Sequence, residues 1–327
     1  MKAALRENKL VLDAWSEMAD SANLIGHNEQ QCVVTSHEFS LFLLEKTKSC
    51  SEISKFKSTF FIENQIPFKM NLSSTLPSLS ELLNKYGDVI LPVSHIHSFG
   101  RSTLIHDDVV RKPATTYATF QDYYRVANKT NCGDSTFYVA QATLELYGRS
   151  ELLEEFPNPT TKPVSQRNIW ISRGGTMTPT HYDNYENLLS VVEGTKYVLL
   201  FNVTDRENMY FQTRTYSYKS LKRTILLKHL PLSLSLSPGT ELEPRYDFRS
   251  QSLIYDNTEV KYTSNFAGVN VTHPNFNIHP RFAHVVPWFC RIDEGEALYI
   301  PKGWPHAVFS SVKKGGSGWN YGANWWF

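Results

Sequence analysis

The sequence predicts a mainly β fold with flanking helices: a sandwich or barrel such as a jelly roll, preceded by an α/β region. Three observations predict it. Aromatic residues make up 13% of the 327 residues, and such side chains suit pleated, half-buried surfaces. From Asn168 onward, short apolar runs are separated by Gly, Pro and Asn, the punctuation of successive strands and turns. Before that point, stretches with helical spacing alternate with short extended ones.

Taken in order, Ser36 is placed to cap a helix from about His37 to Thr47, whose apolar residues include Phe39, Leu41 and Leu44. Ser58 to Ile62 reads as a strand. Ser78 to Tyr86 reads as a helix, because Leu79, Leu82 and Leu83 recur at helical spacing. Val89 to Val93 reads as a strand, Thr119 to Ala127 as a helix and Thr136 to Ala140 as extended chain. The later strands are expected at Ile169–Ile171, Leu188–Val192, Tyr197–Phe201, Trp288–Ile292, Ala297–Ile300, Ala307–Val312 and Trp319–Trp326. Between Thr204 and about Pro280 lies a long, polar, irregular insertion that includes Leu232–Pro238. Segments of this kind serve as lids or mobile loops. The expected organisation is an α/β region over 1–135 packed on a catalytic barrel over 136–327, with the insertion at about 204–280.

Composition removes several classes of function. Lys plus Arg number 33 and Asp plus Glu 32, a net charge of +1, which gives no global attraction to nucleic acid or to an anionic membrane. The basic stretch Lys219, Lys222, Arg223 and Lys228 reads as a solvated face. Cys32, Cys50, Cys132 and Cys290 are far apart without a C-x-x-C pair, so neither a disulfide framework nor a Cys-rich zinc site is expected. The N-terminus lacks the apolar core of a signal peptide, and no apolar run is long enough to cross a bilayer. The expected location is intracellular, cytoplasmic or nuclear, with the sequons at Asn71, Asn128, Asn202 and Asn270 as chance matches. No phosphate-binding loop, dinucleotide fingerprint or nucleophile elbow is present.

The chemistry concentrates in two stretches. One is Thr178-Pro-Thr-His181-Tyr-Asp183-Asn-Tyr-Glu-Asn187, followed by Gly194-Thr-Lys196; the other runs from Gly295 through Pro301 and Trp304 to His306. Residues two apart on an extended chain face the same side, so His181 and Asp183 can reach one metal, and His306 supplies a third ligand from the start of a later strand. Two His and one carboxylate suit Fe(II) with open positions, and zinc accepts the same set. A turn at Glu193–Gly194 would bring the strand of Lys196 back antiparallel beside the preceding one, with Lys196, Val198 and Leu200 on one face. An ammonium on that otherwise apolar face needs an anionic partner, and the far carboxylate of a metal-chelating dicarboxylate would supply it, with Thr178 adding a hydroxyl. In the last strand Asn320, Gly322 and Asn324 alternate with large residues, giving a small, amide-bearing face towards the site. Each of these residues alone has a structural explanation; their order and spacing together do not. A rival pair, His95 and His97, has no further ligand close by in sequence, and this pair, like His279 and His284, reads as structural.

These motifs resemble the JmjC hydroxylases of the cupin superfamily, from about Ser36 to the C-terminus and most specifically in Trp170–Phe201 and Gly295–Trp326. The resemblance implies a double-stranded β-helix, with Fe(II) held by His181, Asp183 and His306, 2-oxoglutarate as cosubstrate and O2 as oxidant. It implies that Lys196, Thr178 and Tyr138 bind the distal carboxylate, that Asn187 and Asn324 line the cosubstrate site, and that Trp326 lies near the iron. Asp at 183 resembles the hydroxylases more than the many histone demethylases with Glu there. The implied activity is hydroxylation of a protein side chain. A modified tRNA base, a small metabolite, N-methyl demethylation and a non-catalytic or zinc-dependent cupin are the alternatives. The implied partner is a protein or peptide, with tRNA as the alternative and no membrane. Several relatives continue into dimerising C-terminal helices, whereas this chain ends at Phe327; a monomer or an N-terminally mediated dimer is expected.

Overall fold

The structure is a computed structural model that describes residues 48–49, 66–72, 75–96, 104–106, 109–111, 114–129, 136–147, 149–211, 213–219, 245–247, 252–254, 257–263, 265–272, 274–313 and 315–327. The expected helix at His37–Thr47, the strand at Ser58–Ile62 and the segment Leu232–Pro238 lie outside the described residues.

The N-terminal part contributes β1 (Lys48–Ser49), β2 (Phe68–Asn71), helix α1 (Leu79–Tyr86), β3 (Ile90–Ile96), β4 (Leu104–His106), β5 (Val109–Arg111), β6 (Ala114–Thr119), helix α2 (Phe120–Ala127) and β7 (Thr136–Thr143). Two short helices, α3 (Leu144–Tyr147) and α4 (Ser150–Glu154), lead to β8 (Gln166–Ser172), β9 (Thr176–His181), β10 (Asn187–Glu193) and β11 (Thr195–Leu200). A 3-10 helix, Val203–Met209, opens the insertion, which holds β12 (Thr213–Lys219), β13 (Arg245–Asp247), β14 (Ser252–Ile254) and β15 (Asn257–Thr263). A second 3-10 turn, Pro280–His284, precedes β16 (Trp288–Ile292), β17 (Glu296–Ile300), β18 (His306–Ser311) and β19 (Asn320–Trp326).

Local chemistry explains the helix starts. Ser78 and Glu81 form a reciprocal capping box at α1. Thr119 accepts from the Asp122 N–H at α2.

The strands form two main sheets, one in the order β1-β16-β11-β18-β9 and the other β2-β17-β10-β19-β8-β7-β3-β6. Their inner faces meet in an apolar cluster of Leu189, Val191, Leu298 and Ile300 from one sheet with Val198, Leu200, Cys290 and Ile292 from the other. The outer face of the eight-stranded sheet packs Leu188, Tyr299, Tyr321, Ala323 and Trp325 against Leu79, Leu82, Phe120 and Tyr123 of α1 and α2. The outer face of the other sheet packs Tyr197, Leu199, Phe289 and Phe309 against Met209, Val269, Val271 and Phe282 from the two ends of the insertion. Strand β11 is therefore buried throughout, with odd positions outward and Lys196, Val198 and Leu200 inward. The result is the expected mainly β jelly roll with flanking helices.

Three expectations are corrected. The chain does not turn back in a hairpin at Gly194. Instead β10 pairs with β17 and β19, while β11 pairs with β16 and β18 in the opposite sheet. Gly194, at φ +85°, makes this crossing, because a Cβ there would lie 2.6 Å from the Ser311 carbonyl oxygen and 2.7 Å from Asn320 Nδ2. The insertion is also not wholly irregular. The Thr/Tyr-rich β12 pairs along its whole length with β15 and runs parallel to β5, as such residues favour extended pairing. Finally, Cys290 is disulfide-bonded, against the expectation drawn from cysteine spacing; the other three cysteines lie outside the described residues. Among the described residues no helix is long and apolar enough to cross a membrane.

Gly322, on the inner face of β19, has no room for a side chain: a Cβ would sit 2.4 Å from the Ser190 carbonyl oxygen and 3.0 Å from Lys196 Cε. Gly322→Ala is expected to destabilise the protein by about 1–3 kcal/mol through overpacking. Urea denaturation should show a lower midpoint at an unchanged slope.

Candidate metal centre

His181 reaches the barrel interior because β9 carries a bulge. Against β18, His181 stands opposite His306 and Thr178 opposite Val308, so the two residues between them on β9 match the single Ala307 on β18. The extra residue lies at Pro179–Thr180, where proline has no N–H to lose from the ladder. It turns the next side chain onto the inner face.

The Pro179 carbonyl accepts from His181 Nδ1 at 2.8 Å, and the Trp304 carbonyl accepts from His306 Nδ1 at 2.9 Å. Both imidazoles thus carry their proton on Nδ1 and present the Nε2 lone pair to the interior. Asp183 lies beyond the end of β9, in a loop fixed by the Gly303 N–H donating to the Asp183 carbonyl oxygen at 2.9 Å. It joins the histidines through that loop and not through strand alternation, which corrects the reason expected from spacing. Asp183 Oδ1 is 3.8 Å from His181 Nε2 and Oδ2 is 3.7 Å from His306 Nε2. Among the described residues this trio is the one group of such side chains whose ligand atoms all lie within 4.8 Å of one another.

Nitrogen and oxygen ligands held about 2.0–2.2 Å from a shared ion lie roughly 3–3.5 Å apart, so the trio fits a divalent cation after a small contraction. Burial, then the neighbouring His181, pushes His306 down to about 4, which keeps its lone pair available at neutral pH.

A second layer of contacts holds the two ligand-bearing loops together. Arg206, on the first 3-10 helix, donates to the Gly303 carbonyl oxygen through Nε at 3.0 Å and also through Nη2. Its guanidinium lies 4.0 Å from the centroid of the Tyr182 ring. Gly303 has φ +82°, and a Cβ there would lie 2.4 Å from Arg206 Nη2. The far end of the insertion reaches the same place. Tyr182 N–H donates to the Asn265 carbonyl at 3.0 Å, Ala267 N–H to the Thr180 carbonyl at 2.8 Å, and the Phe266 ring lies 5.5 Å from that of His181.

Deeper in the barrel, Lys196 is 1% exposed. Its ammonium donates to Ser310 Oγ and to Asn320 Oδ1, both at 2.8 Å. Leu200 pairs with His306, and Lys196, four residues back on the same strand, pairs with Ser310; their rows are about 13 Å apart. Between them Thr178 bonds the buried Tyr138 hydroxyl, whose titration burial drives upward. The structure thus lines up the expected Thr178, Tyr138 and Lys196 behind the trio, beside the apolar cluster of the inner faces. Asn187 and Asn324 are buried and joined, Asn324 Nδ2 donating to Asn187 Oδ1 at 2.9 Å, while Trp170 Nε1 donates to Asn324 Oδ1 at 2.7 Å. Trp326 stacks on the partly exposed Tyr185, with centroids 4.9 Å apart. Of the rival histidines, His97 lies outside the described residues and His95 stands on β3 opposite Ala114 and Phe137, while His279 packs on Tyr210 with ring centroids 4.7 Å apart.

Sequence reasoning missed Ser310, Arg206 and Phe266. Ser310 had a signal, since it shares the alternation of His306 and Val308 on β18. Arg206 and Phe266 had none, because only the folded insertion brings them to the centre.

Residues 64–327 match the family described as cupin-like domain. Lysine-specific demethylase JMJ32 of Arabidopsis thaliana is 29% identical over 169 residues, 49% of this chain and 41% of that protein. JmjC domain-containing protein F of Dictyostelium discoideum is 40% identical over 109 residues, 28% of this chain and 23% of that protein. Lysine-specific demethylase 8 of Xenopus tropicalis is 23% identical over 141 residues, 43% of this chain and 21% of that protein. The chain spans less than half the length of these relatives.

Arg206→Met is expected to loosen the metal centre without emptying the core. Outer-layer partners of metal ligands contribute about 10–100-fold in affinity. Titration with Co(II), followed by visible absorption, should show a loss of that size.

Proposed function

The chain is a JmjC-type member of the cupin-like domain family, and we propose that it is an Fe(II)- and 2-oxoglutarate-dependent oxygenase that hydroxylates a protein side chain. The observation that carries the reading is the pairing of the His181–Asp183–His306 trio with a buried lysine that meets no carboxylate among the described residues. A zinc site would use the trio and leave Lys196 without a purpose; a cosubstrate with two acidic ends uses both.

In this reading His181, Asp183 and His306 hold Fe(II) on one face and leave its other positions open. Lys196 binds the distal carboxylate of 2-oxoglutarate by a charge-assisted hydrogen bond, with the Thr178 and Tyr138 hydroxyls beside it. The Asn187–Asn324 pair fixes the wall of the pocket on the opposite sheet. Val198, Leu200, Leu298 and Ile300 keep the space between the two ends dry, which strengthens every polar contact within it. When bound, iron and 2-oxoglutarate supply the oxidising power for hydroxylation with O2, releasing succinate and carbon dioxide.

N-methyl lysine demethylation is the second reading, favoured by the names of relatives such as JMJ32. It uses the same oxidising power on a different carbon. Formaldehyde release marks demethylation, whereas a substrate that gains one oxygen and keeps its methyl groups marks hydroxylation.

His181→Ala and Asp183→Ala are expected to abolish succinate formation, measured with Fe(II) and a peptide library as substrate. Full turnover in either variant would sink the ligand assignment. Lys196→Ala should weaken 2-oxoglutarate binding by about 10–100-fold, the worth of a hydrogen bond to a charged group. Calorimetry on the Co(II)-loaded protein reads this directly.

A further inference from the structure

The closed end of the barrel handles the Lys196 ammonium in an unusual way. A buried charge is ordinarily paired with an opposite one, yet both acceptors here are neutral: Ser310 Oγ and Asn320 Oδ1, each at 2.8 Å. The orientation of the Asn320 amide is fixed. Its Nδ2 donates to the Thr195 carbonyl at 2.9 Å and the Ser311 carbonyl at 2.8 Å, so only its oxygen faces the lysine. These bonds also join β19 of one sheet to β11 and β18 of the other. Gly322 clears the space beside the lysine stem, its virtual Cβ lying 3.0 Å from Lys196 Cε.

Every element around the amine is uncharged at this level. Strand β16 offers Ile292 opposite Lys196, β18 offers Ser310, β9 offers Thr176 in the same row, and β19 offers Asn320 and Gly322. The acids at this end are engaged elsewhere: Asp293 accepts from Thr195 Oγ1 at 2.9 Å, and Glu294 from the Gly194 N–H at 3.0 Å.

We propose that Ser310 and Asn320 are positioning residues that hold Lys196 without a counter-charge, so that the distal carboxylate of a bound dicarboxylate completes the ion pair and draws a proton from solvent onto the amine. The identity of that dicarboxylate rests on the oxygenase reading above. The cradle itself rests only on the geometry of the free protein.

Burial pushes Lys196 down to about 7. The sign of the pH dependence follows. Below about pH 7 the ammonium is already present and affinity is flat. Above it each binding event must take up a proton, so affinity falls about tenfold per pH unit. Replacing Ser310 changes this in two directions. Ser310→Ala removes an acceptor that favours the charged form, which moves the break in the profile to lower pH. Ser310→Asp supplies a resident carboxylate, which keeps the amine charged and competes with the ligand.

The test combines two measurements on the full chain. Lysine labelled with 13C at Cε is titrated by NMR in the metal-free protein, with Lys196→Arg identifying the resonance. Binding of 2-oxoglutarate to the Co(II)-loaded protein is followed by calorimetry in two buffers of different ionisation enthalpy. Expected are a Lys196 resonance that titrates near neutrality, uptake of about one proton at about pH 8, and loss of that uptake with at least about tenfold weaker binding in Ser310→Asp. The shifted break in Ser310→Ala provides the same reading should the Asp variant fail to fold. A Lys196 resonance that titrates in the ordinary lysine range overturns the proposal whatever the enzyme turns over. Proton-linked binding without any succinate formation upholds it and sinks the oxygenase reading instead.

Discussion

The pairing of β9 with β18 is the constraint on which the centre depends. One ladder sets His181 opposite His306, Thr178 opposite Val308 and Thr176 opposite Ser310, and the same β18 sets Ser310 opposite Lys196. The register of a single strand therefore fixes the paired histidines, the hydroxyl row and the partners of Lys196 together. A slip by one residue would turn every one of these side chains to the other face. The bulge at Pro179–Thr180 makes one such slip, and without it His181 would point away from His306 and Asp183.

The inner and outer faces of the five-stranded sheet divide the work. Outward residues such as Tyr197, Leu199 and Phe309 anchor the ends of the insertion, while inward ones such as Val198 and Leu200 meet the facing sheet. The insertion then returns to the metal end, where Arg206 and Phe266 lie against the ligand loops. Both of its ends thus lie against the candidate centre, so a segment that reads as an accessory is joined to it at both margins.

Much of the fold and of the candidate site was legible in the sequence. Most barrel strands from Ile169 onward announced themselves by a short apolar run between turn residues; β9, whose residues are Thr-Met-Thr-Pro-Thr-His, did not. His181, Asp183 and His306 stood out by their order and spacing, and Lys196 as a charge on an apolar face. What escaped had a physical reason. Glu193–Gly194 carries the same residues whether the chain makes a hairpin or crosses to the facing sheet, and the choice is made by packing of Gly194 on Ser311 and Asn320, which lie far along the chain. Asp183 converges through a loop contact with Gly303, which no spacing rule encodes. Cys290 gave no hint of its bond because pairing is a property of space and not of spacing. Arg206 looked like any charged residue in a polar stretch.

The route of the chain through the two sheets has a consequence for the order in which the protein assembles. Histidine 181 and histidine 306 are neighbours in space but belong to opposite ends of the barrel sequence, with the whole insertion between them. The strands carrying them can meet only after that long loop has closed, a costly step that topologies dominated by distant contacts leave until late. During synthesis, the place where the two histidines meet thus comes into being only once β18 has followed the insertion and found β9.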